Sequence, residues 1–320
     1  MANWDLFKEE FDKLCLTEPL RHRNDLPYFN YCSQVFEGSD DLTPSDGVQC
    51  VASPDDLYKF VYPNLDKGTF NFRDRILAPT NYLVDQHNEA LHKQFRPRGR
   101  GRTAAYILRA ADSTVFEHNG MEENTELPPE ALAAFRGAKK DLPPSVLRIK
   151  RGELVVFIRN LNVSAGVANG TLGIFVKVSG DGRCALVNIF SDVTKKFDVP
   201  VLVPRIFFDT EAGHVKLRRR QYPLRLAWAM TIHKSQGQTL GRLGLDLRNQ
   251  CFTFGQLGVA FSRASRGSDV RCLCNAVNID EAGQPVGLRN PVCRSFVQRV
   301  LRWEKEQKQT AAKLKRRRRR

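Results

Sequence analysis

The chain has 320 residues, 42% hydrophobic and 27% charged, so it is long enough for two cores and ordinary in composition for a globular protein. No apolar run approaches the about 20 residues that cross a bilayer (the longest strong one is Leu154-Val155-Val156-Phe157-Ile158), and the charges at Asp5, Lys8, Glu9, Glu10, Asp12 and Lys13 exclude a secretory signal. Of a net charge of +15, residues 304–320 carry +7 and the other 303 residues carry +8, so the body is basic without its tail, as expected of a protein that meets a polyanion.

Trp4, Phe7, Phe11 and Leu14 recur at helical spacing and predict an amphipathic helix. Residues 21–56, rich in Asp, Ser, Pro and Gly, read as loop with short elements. Arg75-Ile76-Leu77-Ala78 reads as a strand, punctuated by Pro79-Thr80-Asn81. The helix after it has Leu83, Val84, Ala90, Leu91 and Phe95 on its inner face. Thr80 and Asn81 then stand at a helix N-terminus, either as simple caps or, with the free backbone N–H groups, as a seat for phosphate. Arg96, Arg98, Arg100 and Arg102 alternate with Pro and Gly as an exposed basic loop, and residues 96–146 give no further assignment.

From Leu147 the texture changes. Residues 154–158, 173–178, 184–190 and 197–203 are short β-rich runs separated by turn signals at Asn169-Gly170 and Gly180-Asp181-Gly182. They predict a small β-barrel or sandwich inserted into an α/β pattern that resumes after Tyr222. Leu226-Ala227-Trp228-Ala229-Met230 reads as a buried strand, Leu243, Leu245 and Leu247 as an alternating one, and Val270–Val277 as another. Thr253 and Gln256 have capping-box spacing at the start of a helix through Leu257, Ala260 and Phe261, ending near Ser262-Arg263. Asn290 and Pro291 open a last helix with Val292, Phe296, Val300 and Trp303 inside. Strands alternating with helices imply a largely parallel sheet with helices on its faces. The eight cysteines show no C-x₂-C pair and read as reduced, mostly buried thiols of a cytosolic or nuclear protein, with no metal site.

Two places can carry chemistry. One strand delivers Thr231, His233, Lys234, Gln236 and Gln238 into a single polar turn, where Gly237 permits close backbone approach. Ligands of open α/β sheets bind at such strand ends. His233 alone reads as a structural histidine; the packed polar set shifts the reading toward function, with His233 and Lys234 on phosphates. Arg263 reads either as a solvated charge favoured by the helix dipole or as an arginine finger, and without context the solvated reading is preferred.

Ala78-Pro79-Thr80-Asn81, Arg159-Asn160-Leu161 with Asn169-Gly170, Thr231-Ile232-His233-Lys234-Ser235-Gln236-Gly237-Gln238-Thr239-Leu240 and Val259-Ala260-Phe261-Ser262-Arg263 occur in this order. Over roughly residues 70–275 the set resembles the C-terminal half of Pif-type (RecD-like) superfamily 1 DNA helicases, most of all the helicase part of Helitron transposon proteins. The resemblance implies an α/β fold: a second RecA-like domain, a parallel sheet flanked by helices, with an inserted small β-barrel of Src-homology-3 type. On this chain that gives residues 1–146 and 223–303 to the RecA-like domain, 147–222 to the barrel and 304–320 to a disordered basic tail. It further implies ATP hydrolysis, with Mg²⁺, coupled to 5′→3′ movement on single-stranded DNA. Gln236, Gly237 and Gln238 would lie near the nucleotide, Arg263 would be the arginine finger, and Thr80, Asn81, Thr231, His233 and Lys234 would face the DNA backbone.

The sequence departs from that pattern at Phe261, where leucine is usual, and at Gly258, where an aromatic is usual. No Gly-Lys dipeptide occurs in the chain, so the phosphate-cradling loop has no counterpart. Asp280-Glu281 follows Arg263, whereas the family's metal-holding acidic pair precedes it, and reads as a loop acid pair. The expectation is a helicase portion that binds DNA and is catalytically incomplete alone; another reading is an enzyme half completed in trans by a separately encoded first domain, and a third is a non-enzymatic nuclear DNA-binding protein derived from a transposon helicase. The basic tail suits a nuclear import receptor or a nonspecific phosphate contact. The expected location is the nucleus, otherwise the cytoplasm, with no membrane partner.

Overall fold

A computed structural model describes residues 20–38, 47–99, 104–118, 121–126, 142–212, 215–280 and short stretches between 283 and 305. They fall into two compact units, the first made of Met1–Val61, Arg73–Thr80 and Thr231–Arg320, the second of Tyr62–Phe72 and Asn81–Met230. The helix expected on Trp4, Phe7, Phe11 and Leu14 and almost all of the basic tail lie outside the described residues; of the expected last helix, residues 297–299 and 301–302 are helical, residues 290–292 are not, and Phe296, Val300 and Trp303 lie outside the described residues. Among the described residues no helix is long and apolar enough to cross a membrane.

The first unit is built on a five-stranded sheet in the order Gln49–Val51, Val270–Leu273, Leu243–Asp246, Arg75–Ala78 and the boundary strand Ala229–Thr231. The first four run parallel to their neighbours, which fits the expected RecA-like α/β arrangement. Arg75–Ala78 and Leu243–Asp246 are buried at every position, so the alternation expected of Leu243, Leu245 and Leu247 is replaced by burial on both faces. The helix Pro54–Val61 packs on this sheet. Gly244 permits its approach, because a Cβ there would stand 3.0–3.1 Å from side-chain atoms of Val61 and Leu57.

Residues 21–56 are not mainly loop. They hold a 12-residue helix, Leu26–Glu37. The Asp25 side chain caps it by accepting from Tyr28 N at 3.0 Å, a proline stands in its first turn, and Tyr28, Tyr31, Cys32 and Val35 form its buried stripe. This helix packs against the short helix Gln256–Phe261. A Cβ on Gly258 would meet the Phe36 ring at 2.7 Å, so the glycine is what lets the Leu26–Glu37 helix bring that ring against the Gln256–Phe261 helix.

The second unit holds an antiparallel sheet in the order Phe197–Pro204, Cys184–Phe190, Leu172–Val178, Leu154–Phe157 and Leu224–Leu226. All four expected β-rich runs are present. The predicted Leu226–Met230 strand is instead divided: Leu224–Leu226 pairs with Leu154–Phe157, and Ala229–Thr231 leaves for the parallel sheet. Phe157, Phe175, Val187 and Tyr222 centre the core. Gly173 is needed for its density, since a Cβ would stand 2.4 Å from Val187 Cγ1.

Part of the unassigned 96–146 segment is also β. Tyr106–Arg109 pairs with Val146–Ile149, and Ala111–His118 joins a four-stranded ribbon with Met121–Glu126, Ile206–Ala212 and Val215–Gln221. Arg96 and Arg98 are exposed, as expected; Arg100 and Arg102 lie outside the described residues. The β-rich 147–222 segment therefore shares its unit with this ribbon and with the helix Asn81–Gln94.

A buried polar knot fastens that helix. Glu153, fully buried, accepts from His92 Nδ1 at 2.9 Å, from Lys150 N at 2.6 Å and from Trp228 Nε1 at 3.3 Å. Lys150 Nζ donates to the carbonyls of His92 and Phe95, where the helix dipole favours a cation.

Candidate functional site

The strand Ala229–Thr231 ends in a single 3₁₀ turn, Ile232–Ser235. Ile232 and Ser235 are fully buried and pin it, and Ser235 Oγ donates to Ile232 O at 2.6 Å. With these two held inside, His233, Lys234 and Gln236 are turned out to solvent. Gln236 N donates to His233 O and Gln238 N to Ser235 O, at 3.2 and 3.0 Å. Gly237 sits at φ +82 with open space around it, a conformation glycine adopts without strain. The strand Arg75–Ala78 lies against the same turn. Thr80 follows that strand within the first unit, and Asn81 is the first residue of the Asn81–Gln94 helix in the second. The expected helix-N-terminal placement of both residues is what the structure shows.

Arg263 is not a solvated charge. It is 8% exposed, and its guanidinium is spent on the turn and on its own helix end. Nη1 donates to Gln238 O at 3.1 Å and Ser235 O at 3.4 Å, Nε to Val259 O at 3.0 Å, and Nη2 to Ser262 Oγ at 2.8 Å. Its own carbonyl accepts from Leu240 N at 2.9 Å. One side chain thus joins the end of the Gln256–Phe261 helix to the 235–240 backbone. Burial, and then the neighbouring Arg21 guanidinium, pull its pKa below the usual arginine value.

The segment before the first helix crosses the same helix end. Arg21 Nη1 donates to Ser262 O at 2.6 Å, His22 Nε2 meets Ala264 O at 3.1 Å, and Tyr28 Oη donates to Phe261 O at 2.5 Å. Carbonyls that a helix end leaves unpaired are thereby satisfied by side chains. Burial pushes the His22 imidazole below its usual pKa, against the opposing pull of the Ala264 carbonyl.

Beside this strap opens a cavity of about 440 Å³, lined by Arg21, Arg23 and Arg266 with Asn24, Thr239, Ser265 and Leu20. Three arginines and no acidic residue give its lining a positive character, complementary in charge to an anion. Thr239 brings the end of the polar turn into its wall, and Ser265 and Arg266 stand two and three residues after Arg263. Sequence reasoning missed these arginines. The only local signal was the Arg21-His22-Arg23 run in a stretch read as loop.

The acid pair reads as expected where it is described. Asp280 closes a turn, its carboxylate accepting from Gln284 N at 2.7 Å, and Glu281 lies outside the described residues. Among the described residues no group of three or more His, Cys, Asp or Glu converges as a metal site requires. Asn290 donates to Val35 O at 2.6 Å, holding the first helix.

Comparison with known proteins gives one consistent likeness. Residues 138–178 match the family model for the DNA helicase Pif1 2B domain. The chain is 38% identical to the ATP-dependent DNA helicase PIF1 of Homo sapiens over 202 residues, which is 63% of this chain and 28% of that protein. It is 32% identical to the ATP-dependent DNA helicase PIF6 of Trypanosoma brucei brucei, over 57% of this chain and 24% of that protein. This chain therefore spans less than a third of the length of these relatives. Among solved structures, the Pif1 helicase from Candida albicans superposes on 88% of this chain and 60% of its own with a TM-score of 0.54 at 23% identity. The Bacteroides Pif1 helicase in complex with ADP-AlF3 and ssDNA covers 84% of this chain and 53% of its own, with a TM-score of 0.51 at 17% identity. At those identities the likeness is one of fold.

Proposed function

Taking this support for the Pif1-type helicase family as the premise, we propose that the chain is the C-terminal portion of an ATP-dependent 5′→3′ DNA helicase, carrying one half of its nucleotide site and part of its single-stranded DNA track. The observation that carries the reading is the joint made by Arg263. It ties the Thr231–Gln238 turn to a helix end, and residues just past both, Thr239 on one and Ser265 and Arg266 on the other, line the cavity with Arg21 and Arg23. Such a joint lets a change at bound phosphates reach the turn that faces DNA.

In this reading Arg21, Arg23 and Arg266 hold the phosphates of ATP, and Gln236, Gly237 and Gln238 lie beside the nucleotide. Arg263 is the arginine finger, exchanging its carbonyl partners for phosphate when a triphosphate enters. Thr80, Asn81, Thr231, His233 and Lys234 contact the DNA backbone. The arginine-lined cavity fits the phosphates by charge. Mg²⁺ finds no ligand set among the described residues, and no Gly-Lys pair exists to cradle the β- and γ-phosphates. Those parts are assigned to a first RecA-like domain outside these 320 residues. The inserted barrel is read as Src-homology-3 type and the ancestry as a Helitron-like transposon helicase. The net +7 of residues 304–320 favours nuclear import through a basic signal. The same charge, with the missing Gly-Lys pair, supports a second reading: a nuclear DNA-binding protein that has given up catalysis.

The test is to measure binding and ATP hydrolysis on the purified chain. Single-stranded DNA should bind with a log–log salt slope of about −0.7 per phosphate contact. Hydrolysis should stay at background until a first domain bearing the phosphate loop is added, and Arg263→Ala should then abolish it. Robust hydrolysis by the chain alone would overturn the half-site claim, lack of binding the DNA claim. Failure of every such domain to restore hydrolysis would favour the second reading.

A further inference from the structure

The spacing of Thr253 and Gln256 predicts a capping box, and the structure forms its reach-back arm, with Gln256 Oε1 accepting from Thr253 N, while the helix itself starts only at Gln256. The helix is capped at Gly255, at φ +71, and Gln256 is its first residue. Gln256 is 2% exposed, and its side chain reaches back to the loop before it: Oε1 accepts from Phe252 N at 3.0 Å and from Thr253 N at 3.3 Å. Its Nε2 donates to Pro79 O at 3.4 Å. One buried amide therefore fixes the 252–254 loop and ties it to the residue that precedes Thr80. The loop is held still, yet it displays Phe252 at 56% and Phe254 at 71% exposure. Among the described residues neither ring has a stacking or cation partner. Two phenyl rings exposed to water on one short loop oppose the hydrophobic effect, and such a pair marks a candidate contact surface.

We propose that Phe252 and Phe254 form a stacking platform for the bases of single-stranded DNA, next to the backbone contacts assigned to Thr80 and the Thr231–Lys234 turn. The proposal rests on the single-stranded DNA reading above and adds to it the groups that meet the bases. Single-strand binders pair phosphate-tracking polar groups with aromatic faces, because every base has a π-face whatever its sequence. A loop already ordered by Gln256 loses little entropy when a base settles on it.

The experiment uses the full chain and two labelled oligonucleotides of equal length, one of thymidine and one with an abasic backbone, read by fluorescence anisotropy. Phe252→Ala with Phe254→Ala should weaken binding of the thymidine strand at least about tenfold. Binding of the abasic strand should be unchanged, because it offers phosphates and no bases. Equal weakening on both strands, or none on either, overturns the platform. If the wild-type chain binds neither strand, the DNA reading itself fails, a result distinct from failure of the loop. Should the double variant not fold, Phe254→Trp serves alone: its emission should be quenched by the thymidine strand and not by the abasic one. Absence of that difference overturns the proposal.

Discussion

Each unit contains a knot of polar side chains around one buried charged residue, Glu153 in the second and Arg263 in the first, and these two are built for opposite ends. In the second unit Glu153 is wholly buried, and its recorded partners all turn inward: His92, the Lys150 backbone and Trp228. In the first unit Arg263 gathers the carbonyls of Ser235, Gln238 and Val259, and around it other side chains are thrust outward. His233, Lys234 and Gln236 face solvent, and three arginines line an open cavity. A buried polar network with nothing left over is architecture. One that pins a backbone turn while presenting charge to solvent is the arrangement proposed above as a site.

That contrast can be broken at its strongest point first. Glu153→Ala leaves three buried donors without their acceptor and should cost at least about 3 kcal/mol of stability, read by urea unfolding. Single-stranded DNA affinity of the fraction still folded should stay unchanged. Glu153→Gln keeps an acceptor and should cost less.

Arg263→Ala is expected to cost about 2 kcal/mol, since the carbonyls it leaves can partly reach water. Its signature is local: faster hydrogen exchange at Gln236, Gln238 and Leu240, amides that lie on the turn or bond to Arg263 itself. Arg263→Lys keeps the charge but not the fork and should behave closer to Ala than to wild type. If exchange rose equally in both units, the separation drawn between the knots would fail.

The smallest effect belongs to His22. Its folded pKa lies below the ordinary 6.5, so the unfolded chain takes the proton first as pH falls. The His22 contribution is therefore full above the unfolded value and declines as pH drops through about 6.5 toward the lower folded value. A thermal melt should shift down between about pH 7.5 and 5.5, by less in His22→Gln, which keeps a donor for Ala264 O but cannot titrate there. An equal shift in both proteins would remove His22 from the strap's pH response.

Legibility in the sequence followed locality. The strand Arg75–Ala78, the helix after it and the four β-rich runs from 154 to 203 could be read because their periods lie within a few residues of chain. The helix Leu26–Glu37 carries a readable stripe at Tyr28, Tyr31, Cys32 and Val35, but Asp, Ser, Pro and Gly around it masked the period. Leu226–Met230 looked like one apolar strand because hydrophobicity alone cannot say which of two sheets each end joins.

The sequence by itself determined the polar run Thr231–Gln238, its glycine, the absence of a Gly-Lys pair and the division of charge between body and tail. Only tertiary structure decided that Arg263 turns inward to hold that run, that Phe36 occupies the space beside Gly258, and that Arg21 and Arg23 meet Arg266 in one cavity. The reason is separation along the chain. Arg21 and Ser262 are 241 residues apart, and a bond across such a distance leaves no period, spacing or composition from which it could be read.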